Sequence, residues 1–515
     1  CRRAGARRNG RSLLMAGYSD IKARRIGLDT HSEAIVLLRS DSAVCRSEGF
    51  SAHTRILLRG RGRKVVATLF PVTSNIVGCD EAVLSESAWS RLGLQDGDTI
   101  GIEHLDPVES LSLLRSRIFG HELSENSFRA IVRDTVDGRY SNIHIASFLT
   151  ACAAAPLSEK EILGLTRAMV DAGERLSWPQ AMIVDKHSVG GLPGNRTTPI
   201  IVAIVTALGL TMPKTSSRAI TSPAGTADMM ETLAPVALDA EAIRRVVENE
   251  GGCIAWGGAV QLSPADDILI RVERALDLDT QGQMIASVMS KKIAAGATHL
   301  VLDMPVGRTA KVRTAQEAQE LSHGLLAVAQ AFGIKTRVLV GNGDQPVGRG
   351  IGPALEAQDV LAVLQCRPDA PADLRERATQ LAGALLELAG VAPMDTGAAL
   401  AMSVLNDGRA WRKFQRICEA QGGMRKPPVS AHKQSLRAQA SGRIAEIDNR
   451  KIARLAKLAG APDDKAAGVE LLARVGQDIA AEQELCIVHA ESPGELDYAL
   501  AYAAAHSDIF RIENA

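Results

Sequence analysis

Lys186, His187 and Ser188 stand together in VDKHSVGGLPGNRTTPIIVAIVTALGL, residues 184–210. Three glycines follow, at 190, 191 and 194, and then an apolar run. Glycine lets backbone N–H groups come close to a ligand. Thr198 reads as an N-cap and Pro199 as the first helical residue, so the loop feeds a helix N-terminus. Such an end carries unsatisfied N–H groups and partial positive charge. Lys186 and Arg196 add full charges, and Ser188, Thr197 and Thr198 add hydroxyl donors. This is chemistry for a phosphate. The lysine precedes the glycines, so the loop is not G-x-x-x-x-G-K-[ST], and it lacks the dinucleotide pattern G-x-G-x-x-G. An ordinary strand-to-helix turn with a surface lysine uses the same residues, and this loop alone leaves both readings open.

A second loop shifts the balance. PKTSSRAITSPAGTADMMETLAP spans 213–235 and carries Lys214 and Arg218 with Ser216, Ser217, Thr221, Ser222 and Thr226. It too enters a helix, ADMMETLA. Two basic, hydroxyl-rich loops separated by one apolar helix can converge on one anion.

The elements that must position these loops alternate. AMIVD, PIIVAIVTALGL, HLVLDMPVG and IKTRVLVGNGDQPVG give the strand–helix alternation of an α/β domain from about 181 onward. Before it, 108–175 has a helical period: Ser158 and Glu161 form a capping box, and Ile162, Leu165 and Met169 share one face. SPADDILIRVERALDLD and QGQMIASVMSKKIAAG return to helix. Residues 25–107 are β-rich, with AIVLLRS, TRILLRG, KVVATLF and DTIGIEH as strands and one short helix, and read as a β-barrel-like domain. Residues 426–515 read as a C-terminal α+β subdomain. A biotin or lipoate carrier is the alternative there, with Lys465 in PDDKAAG as the only nearby lysine. The fold class is therefore α/β with α+β parts. Residues 1–24 read as a disordered basic extension, with Met15 a plausible start.

Bulk composition narrows the function. Lys+Arg and Asp+Glu are both 59, so net charge is zero and no coat for a nucleic-acid polymer is implied. Aromatics at 3% leave little for base-stacking platforms. No run of 18 apolar residues predicts a membrane span. Eight scattered cysteines without a C-x-x-C pair predict reduced, buried thiols in a cytoplasmic protein.

Four ordered stretches then become specific. DKHSVGG, SRAITSPAGTADMMETLAPV, ASVMSKKIAAG and GNGDQPVGRGIGPALEA resemble the motifs of the thymidine phosphorylase/AMP phosphorylase family. The resemblance covers most of the chain from about 110 to 515, and the β-rich segment before it is similar to the extra N-terminal domain of the archaeal-type branch. It implies a discontinuous helical domain, 108–178 plus 262–297, and a larger α/β domain, 179–261 plus 298–425, with the active cleft between them. The implied reaction is reversible phosphorolysis, thymidine and phosphate giving thymine and 2-deoxyribose 1-phosphate. Phosphate is a co-substrate and no cofactor or metal is implied.

By the same resemblance, Lys186, Ser188, Thr198 and Thr226 hold phosphate, and His187 lies beside sugar and base. Arg271, Ser287 and Lys291 grip the base, and a helix places the last two on one face. Gly191, then Ser217, Arg218, Ala219, Ile220, Thr221 and Ser222, with Thr226, Ser287 and Lys311, match nucleotide-contacting positions of the AMP-specific branch. Asp279 matches that branch's proton donor; a helix-capping aspartate is the plain alternative. The family also implies a homodimer or larger homo-oligomer. The chain departs from short thymidine phosphorylases at Pro193-Gly194-Asn195-Arg196, where those have Gly-Asp. With Arg218, this makes the pocket more basic and suits a substrate bearing its own 5′-phosphate, as in AMP phosphorylase. A Mg²⁺-dependent phosphoribosyltransferase would need an acidic pair, for which Asp266-Asp267 is the candidate, and a non-enzymatic nucleotide-binding regulator is the remaining alternative.

Overall fold

Period-two alternation builds the first part of the molecule, here a computed structural model describing residues 18–30, 33–190, 192–219, 222–278 and 280–513. Val36 and Leu38, then Ile56 and Leu58, point inward while their neighbours face out. Strands β1 (Tyr18–Arg25), β2 (Ile35–Arg39), β3 (Arg55–Gly60), β4 (Arg63–Val72), β5 (Glu81–Leu84) and β6 (Thr99–His104) close into a barrel in the order β1-β5-β2-β4-β3-β6. Helices α1 (Ala43–Glu48) and α2 (Glu86–Leu92) start on Ser42 and Ser85 N-caps. The expected disordered extension needs correction at its end: residues 18–24 form β1, whose pairing with β5 and β6 closes the barrel. Residues 1–17 lie outside the described residues.

Helices α3 (Leu111–Ile118), α4 (Glu125–Val136), α5 (Asn142–Ala154) and α6 (Glu159–Asp171) follow. The predicted capping box opens α6, and Ile162, Leu165 and Met169 are buried. The chain divides into two compact units. One runs through Phe119 and takes in Ala130–Phe148; the other holds Gly120–Arg129 and everything from Leu149.

The second unit carries a parallel α/β sheet. Strands β7 (Val184–Ser188), β8 (Met212–Ser216), β9 (Gly252–Trp256), β10 (His299–Val306) and β11 (Lys335–Asn342) run β11-β10-β7 and β8-β9. An Ile183–Thr211 bridge joins the two sets. The connecting helices are α7 (Thr197–Ala207), α8 (Thr226–Glu231), α9 (Ala240–Glu250), α10 (Pro264–Leu276), α11 (Gln281–Ala294) and α12 (Ala315–Ala331). Helix α7 is apolar on every side, and Ile200–Val205 are wholly buried within the main core, as such a helix requires. Strand β12 (Gly350–Ile351) leads to α13 (Pro353–Leu364), α14 (Ala372–Leu388), α15 (Gly397–Asn406) and α16 (Arg409–Ala420).

The C-terminal part contains β13 (His432–Arg437), β14 (Gly442–Ile447), α17 (Asn449–Leu458), β15 (Gly468–Leu471), β16 (Asp478–Ile479), β17 (Glu484–Ala490), α18 (Pro493–Ala505) and β18 (Phe510–Glu513). Strand β12 pairs with β15, which stitches this part to the α/β region. Gly468 makes the stitch possible: at φ +151° its missing Cβ would lie 2.0 Å from the Ile351 carbonyl oxygen. Cys45, Cys152, Cys253, Cys418 and Cys486 are buried free thiols. Cys79 corrects the uniform expectation, because it is exposed, and Cys366 is half-buried. No helix among the described residues is long and apolar enough to cross a membrane.

Candidate active site

Parallel register brings the first charged cluster together. β10 lies beside β7 with Asp303 opposite Ser188, so a carboxylate meets the Lys186–Ser188 triplet. Lys186 is buried at 1% exposure. Its Nζ donates to Ser188 Oγ and to Thr197 Oγ1 at 2.8 Å, and lies 3.6 Å from Asp303 Oδ2. Ser188 Oγ donates to the same Asp303 oxygen at 2.7 Å, Asn195 Nδ2 donates to it at 3.0 Å, and Arg377 Nη2 donates to Asp303 Oδ1 at 2.6 Å. Burial alone would raise the Asp303 carboxyl; Lys186 and Arg377 outweigh it and keep it ionised. Burial pushes the Lys186 amine down to about 8, with Asp303 opposing and Arg377 and Arg196 adding to the shift. His187 is held well below the usual imidazole range, first by burial and then by Lys292, Lys214, Lys291 and Lys186. It is therefore a neutral imidazole near pH 7.

Helix α7 begins two residues earlier than the sequence predicts. Arg196, not Thr198, is the N-cap residue and makes no side-chain cap bond. Thr197 is already helical, with its hydroxyl accepting from Lys186, while Thr198 lies buried in the first turn. The preceding turn needs Gly194, at φ +71°, since a Cβ there would come 2.0 Å from the Val347 carbonyl oxygen.

The second loop follows β8 and ends at Gly225, the N-cap residue of α8, so Thr226 is the first helical residue. Asp228 organises the loop by accepting from the backbone N–H of Ala219 at 2.6 Å and of Gly225 at 2.9 Å. Ser222 Oγ donates to the Ala224 carbonyl at 2.8 Å, and the Ser217 carbonyl accepts from Ala227 N at 3.4 Å. Arg196 reaches across from the first loop, donating to Ala224 O at 2.5 Å and to Thr226 Oγ1 at 3.4 Å. The two loops are thus physically joined.

Both arginines proposed for a second phosphate are engaged elsewhere. Arg196 Nε is bonded to the buried Glu356 carboxylate. Arg218 donates to Glu231 through two nitrogens at 2.7 Å and to Asp228 at 3.1 Å, and lies over Trp256 at 4.9 Å. The Arg218 partnership holds the Glu231 carboxyl down at about 2. Lys465, the residue weighed as a carrier lysine, instead lies 3.3 Å from Glu231 and 3.6 Å from Asp228. The basic excess read from this segment is cancelled by carboxylates that helices α8 and α13 supply.

On the helical side, Ser287 and Lys291 do share a face of α11: Lys291 Nζ donates to Ser287 Oγ at 3.2 Å. It also donates to buried Asp266 at 2.6 Å. Asp266 therefore serves Lys291, which takes it out of the role of a diphosphate-metal ligand. Arg271 is half-buried on α10, beyond Asp266. Lys311 follows β10 and lies against the first loop, since a Cβ on Gly190 would meet Lys311 Cβ at 3.4 Å. Gly191, Ile220, Thr221 and Asp279 lie outside the described residues. The candidate groups on the sheet gather at the carboxyl ends of parallel strands, where open α/β sheets place ligands.

Sequence reasoning missed Asp303, Arg377, Asp185, Lys292 and Glu356. The available signal was an aspartate in otherwise apolar strands, LVLDMPV and MIVDKHS. A carboxylate in a buried strand must be paired, but its partner is chosen by register rather than by sequence proximity.

Known proteins match the chain over most of its length. Residues 180–411 match the glycosyl transferase family a/b domain, 111–173 its helical bundle domain, and 443–510 the pyrimidine nucleoside phosphorylase C-terminal domain. A protein of Sphingopyxis alaskensis named "Putative thymidine phosphorylase" is 58% identical over 495 residues, covering 96% of each chain. A protein of the same name from Chelativorans sp. is 57% identical over 494 residues, covering 96% of this chain and 97% of its own. Anthranilate phosphoribosyltransferase from Saccharomyces cerevisiae shares the fold at TM-score 0.50 and 14% identity, covering 61% of this chain and 98% of that one.

Proposed function

We infer that this chain, which belongs to the thymidine phosphorylase family, is a pentosyltransferase that cleaves thymidine with inorganic phosphate, reversibly, to thymine and 2-deoxyribose 1-phosphate. The observation that carries the reading is the Lys186–Ser188–Thr197 donor cluster, held at the end of β7 and braced by Asp303. A phosphate oxygen forms its bond to C1′ as the C1′–N1 bond breaks, and the electron pair leaves with the base. Lys186, Ser188, Thr198 and Thr226 orient the phosphate. Lys291, Ser287 and Arg271 meet the charge developing on the base, with Asp279 as proton donor. Neutral His187 supplies a hydrogen bond beside the sugar. Fixed donors aimed at developing charge are the main catalytic resource here. Gly191, Ser217–Ser222 and Lys311 complete the substrate contacts in this proposal. The protein needs no cofactor, works in the cytoplasm, and assembles from at least two copies.

AMP phosphorolysis is the rival. The pairing of Arg196 with Glu356 and of Arg218 with Glu231 argues against it, because neither guanidinium is reserved for a 5′-phosphate. Base release from thymidine, uridine, AMP and CMP at saturating phosphate tests the choice. Thymidine is expected to be cleaved fastest and AMP at least about a hundredfold more slowly, the discrimination expected of a site that lacks partners for an extra charged group. A nucleotide-only enzyme overturns the reading, and activity only with a diphosphate sugar and Mg²⁺ replaces it with phosphoribosyl transfer.

A further inference from the structure

Asp185 and Lys292 are given no substrate contact above, yet both are buried, at 3% and 2% exposure. Asp185 directly precedes Lys186 on β7. Its Oδ1 accepts from the Lys186 backbone N–H at 2.7 Å and from Lys214 Nζ at 3.0 Å. Its Oδ2 accepts from Lys292 Nζ at 2.6 Å. Lys214, on β8, also donates to the Lys186 carbonyl at 2.7 Å. Lys292 follows Lys291 on α11. One carboxylate therefore ties together the phosphate strand, the strand that feeds the second loop, and the base-side helix.

A buried ion pair is weak as a stabilising device, because desolvation offsets most of the attraction and apolar residues of similar volume serve as well. What an ion pair supplies beyond that is a defined geometry. We propose that the Asp185–Lys292 pair is a positioning pin that locks α11 to β7, so that occupancy of the phosphate side and of the base side are energetically coupled. The proposal rests on the phosphorolysis reading above. Other hydrogen bonds hold the end of α11 to the 176–178 connection, from Leu176 N to Ala294 O and from Trp178 Nε1 to Ala295 O, both at 2.8 Å. The Asp185–Lys292 contact ties α11 directly to the strand bearing Lys186, His187 and Ser188.

The charge count selects the variant. Asp185 faces two lysines, so Lys292→Met leaves a one-to-one Asp185–Lys214 pair and strands no charge. Asp185→Asn would leave two lysines without a counter-ion and confuse folding with function. The experiment measures thymine binding to the full chain with and without inorganic phosphate, alongside thymidine phosphorolysis. The wild-type protein is expected to bind thymine at least about fivefold more tightly with phosphate present, the lower end of ordinary two-site coupling. In Lys292→Met that ratio should fall to within about twofold of unity. Lys292→Arg should restore part of it. Lys214→Met, which removes an equal charge from the same carboxylate but leaves α11 tied, should keep the wild-type ratio. A folded Lys292→Met with the wild-type ratio overturns the pin, as does equal loss in Lys214→Met or a wild-type protein whose thymine affinity ignores phosphate. Should Lys292→Met fail to fold, Lys292→Gln is read by the same criterion. Wild-type protein that releases no thymine from thymidine refutes the phosphorolysis reading instead, so the two failures are distinguishable.

Discussion

Lys186 is both the charge that phosphate needs and a charge that burial resists, and its proton links activity to pH. Its amine sits at about 8 instead of the ordinary 10.5. Apparent phosphate affinity is therefore expected to fall as pH rises through about 8, and Lys186→Arg, which cannot lose its proton, should remove that limb. The stability term has the opposite sign. Between about 8 and 10.5 the unfolded chain holds the proton and the folded one does not, so this group's contribution to stability rises with pH over that window. Steady-state kinetics against phosphate at several pH values, with thermal unfolding on the same samples, check both signs; parallel changes would contradict the assignment. Lys186→Ala loses a charge-assisted bond worth about 1.5–3 kcal/mol, at least a tenfold fall in efficiency at neutral pH. At this scale the sequence was informative where type and local spacing suffice, as for Lys186, Ser188 and the Ser287–Lys291 pair. It named no partner for Asp303 or Asp185. Asp303 meets Lys186 only because β10 pairs beside β7, and Lys292 meets Asp185 across 107 positions of chain.

Elements carried the clearest signals where one force dominates. The alternation in β2 and β3, the capping box of α6 and the all-apolar α7 were each legible, because burial or a cap decides them alone. The start of α7 was not. A threonine followed by proline is a good N-terminus on propensity, but Pro193, Arg196 and Thr197 are set by tertiary bonds to Val347, Glu356 and Lys186. Tertiary bonds likewise pair Arg196 with Glu356, and this gives a prediction at this scale. Arg196→Ala strands the Glu356 carboxylate, whose side chain is fully buried. Losing one partner of a buried pair costs about 3–5 kcal/mol, so a marked fall in Tm is expected. Burial already raises the Glu356 pKa, with Arg196 opposing. Without Arg196 the carboxylate can be relieved by protonation, so the loss should be larger near about pH 8 than near about pH 5. The thymidine-to-AMP rate ratio should stay constant. A stable variant with altered nucleotide preference would restore the 5′-phosphate reading of Arg196.

On the scale of the whole molecule, the barrel was visible as strands but its closure was not, because β1 was hidden in a basic leader and supplies the pairing to both β5 and β6. The C-terminal part was visible as a subdomain, but nothing in its sequence showed that it braces the candidate site. It does so at several points within the second unit. Lys465 lies beside Glu231 and Asp228 below the second loop, and Arg474 donates to the Pro346 carbonyl at 3.1 Å and to the Gly348 carbonyl at 2.5 Å. Asn449, at the start of α17, also reaches into the α/β region. Its Nδ2 donates to Thr309 Oγ1 at 2.9 Å and to the Gly343 carbonyl at 2.9 Å, and its backbone N–H donates to the same hydroxyl at 3.2 Å. Thr309 is two residues before Lys311, so Asn449 fixes the turn that presents this candidate substrate lysine. Asn449→Ala leaves a buried carbonyl short of a donor, a cost of about 1–3 kcal/mol. If that turn serves the nucleoside, KM for thymidine should rise severalfold while KM for phosphate, set by the Lys186 cluster, changes little. Asn449→Asp would keep the bond from the backbone N–H but cannot donate to Gly343 O, and should behave like the alanine variant. Steady-state kinetics varying each substrate at saturating concentrations of the other separate the two effects. An equal rise in both constants would mean that the C-terminal part merely stabilises the α/β region, and an unchanged thymidine KM in a folded variant would remove the 307–311 turn from the nucleoside side of the site.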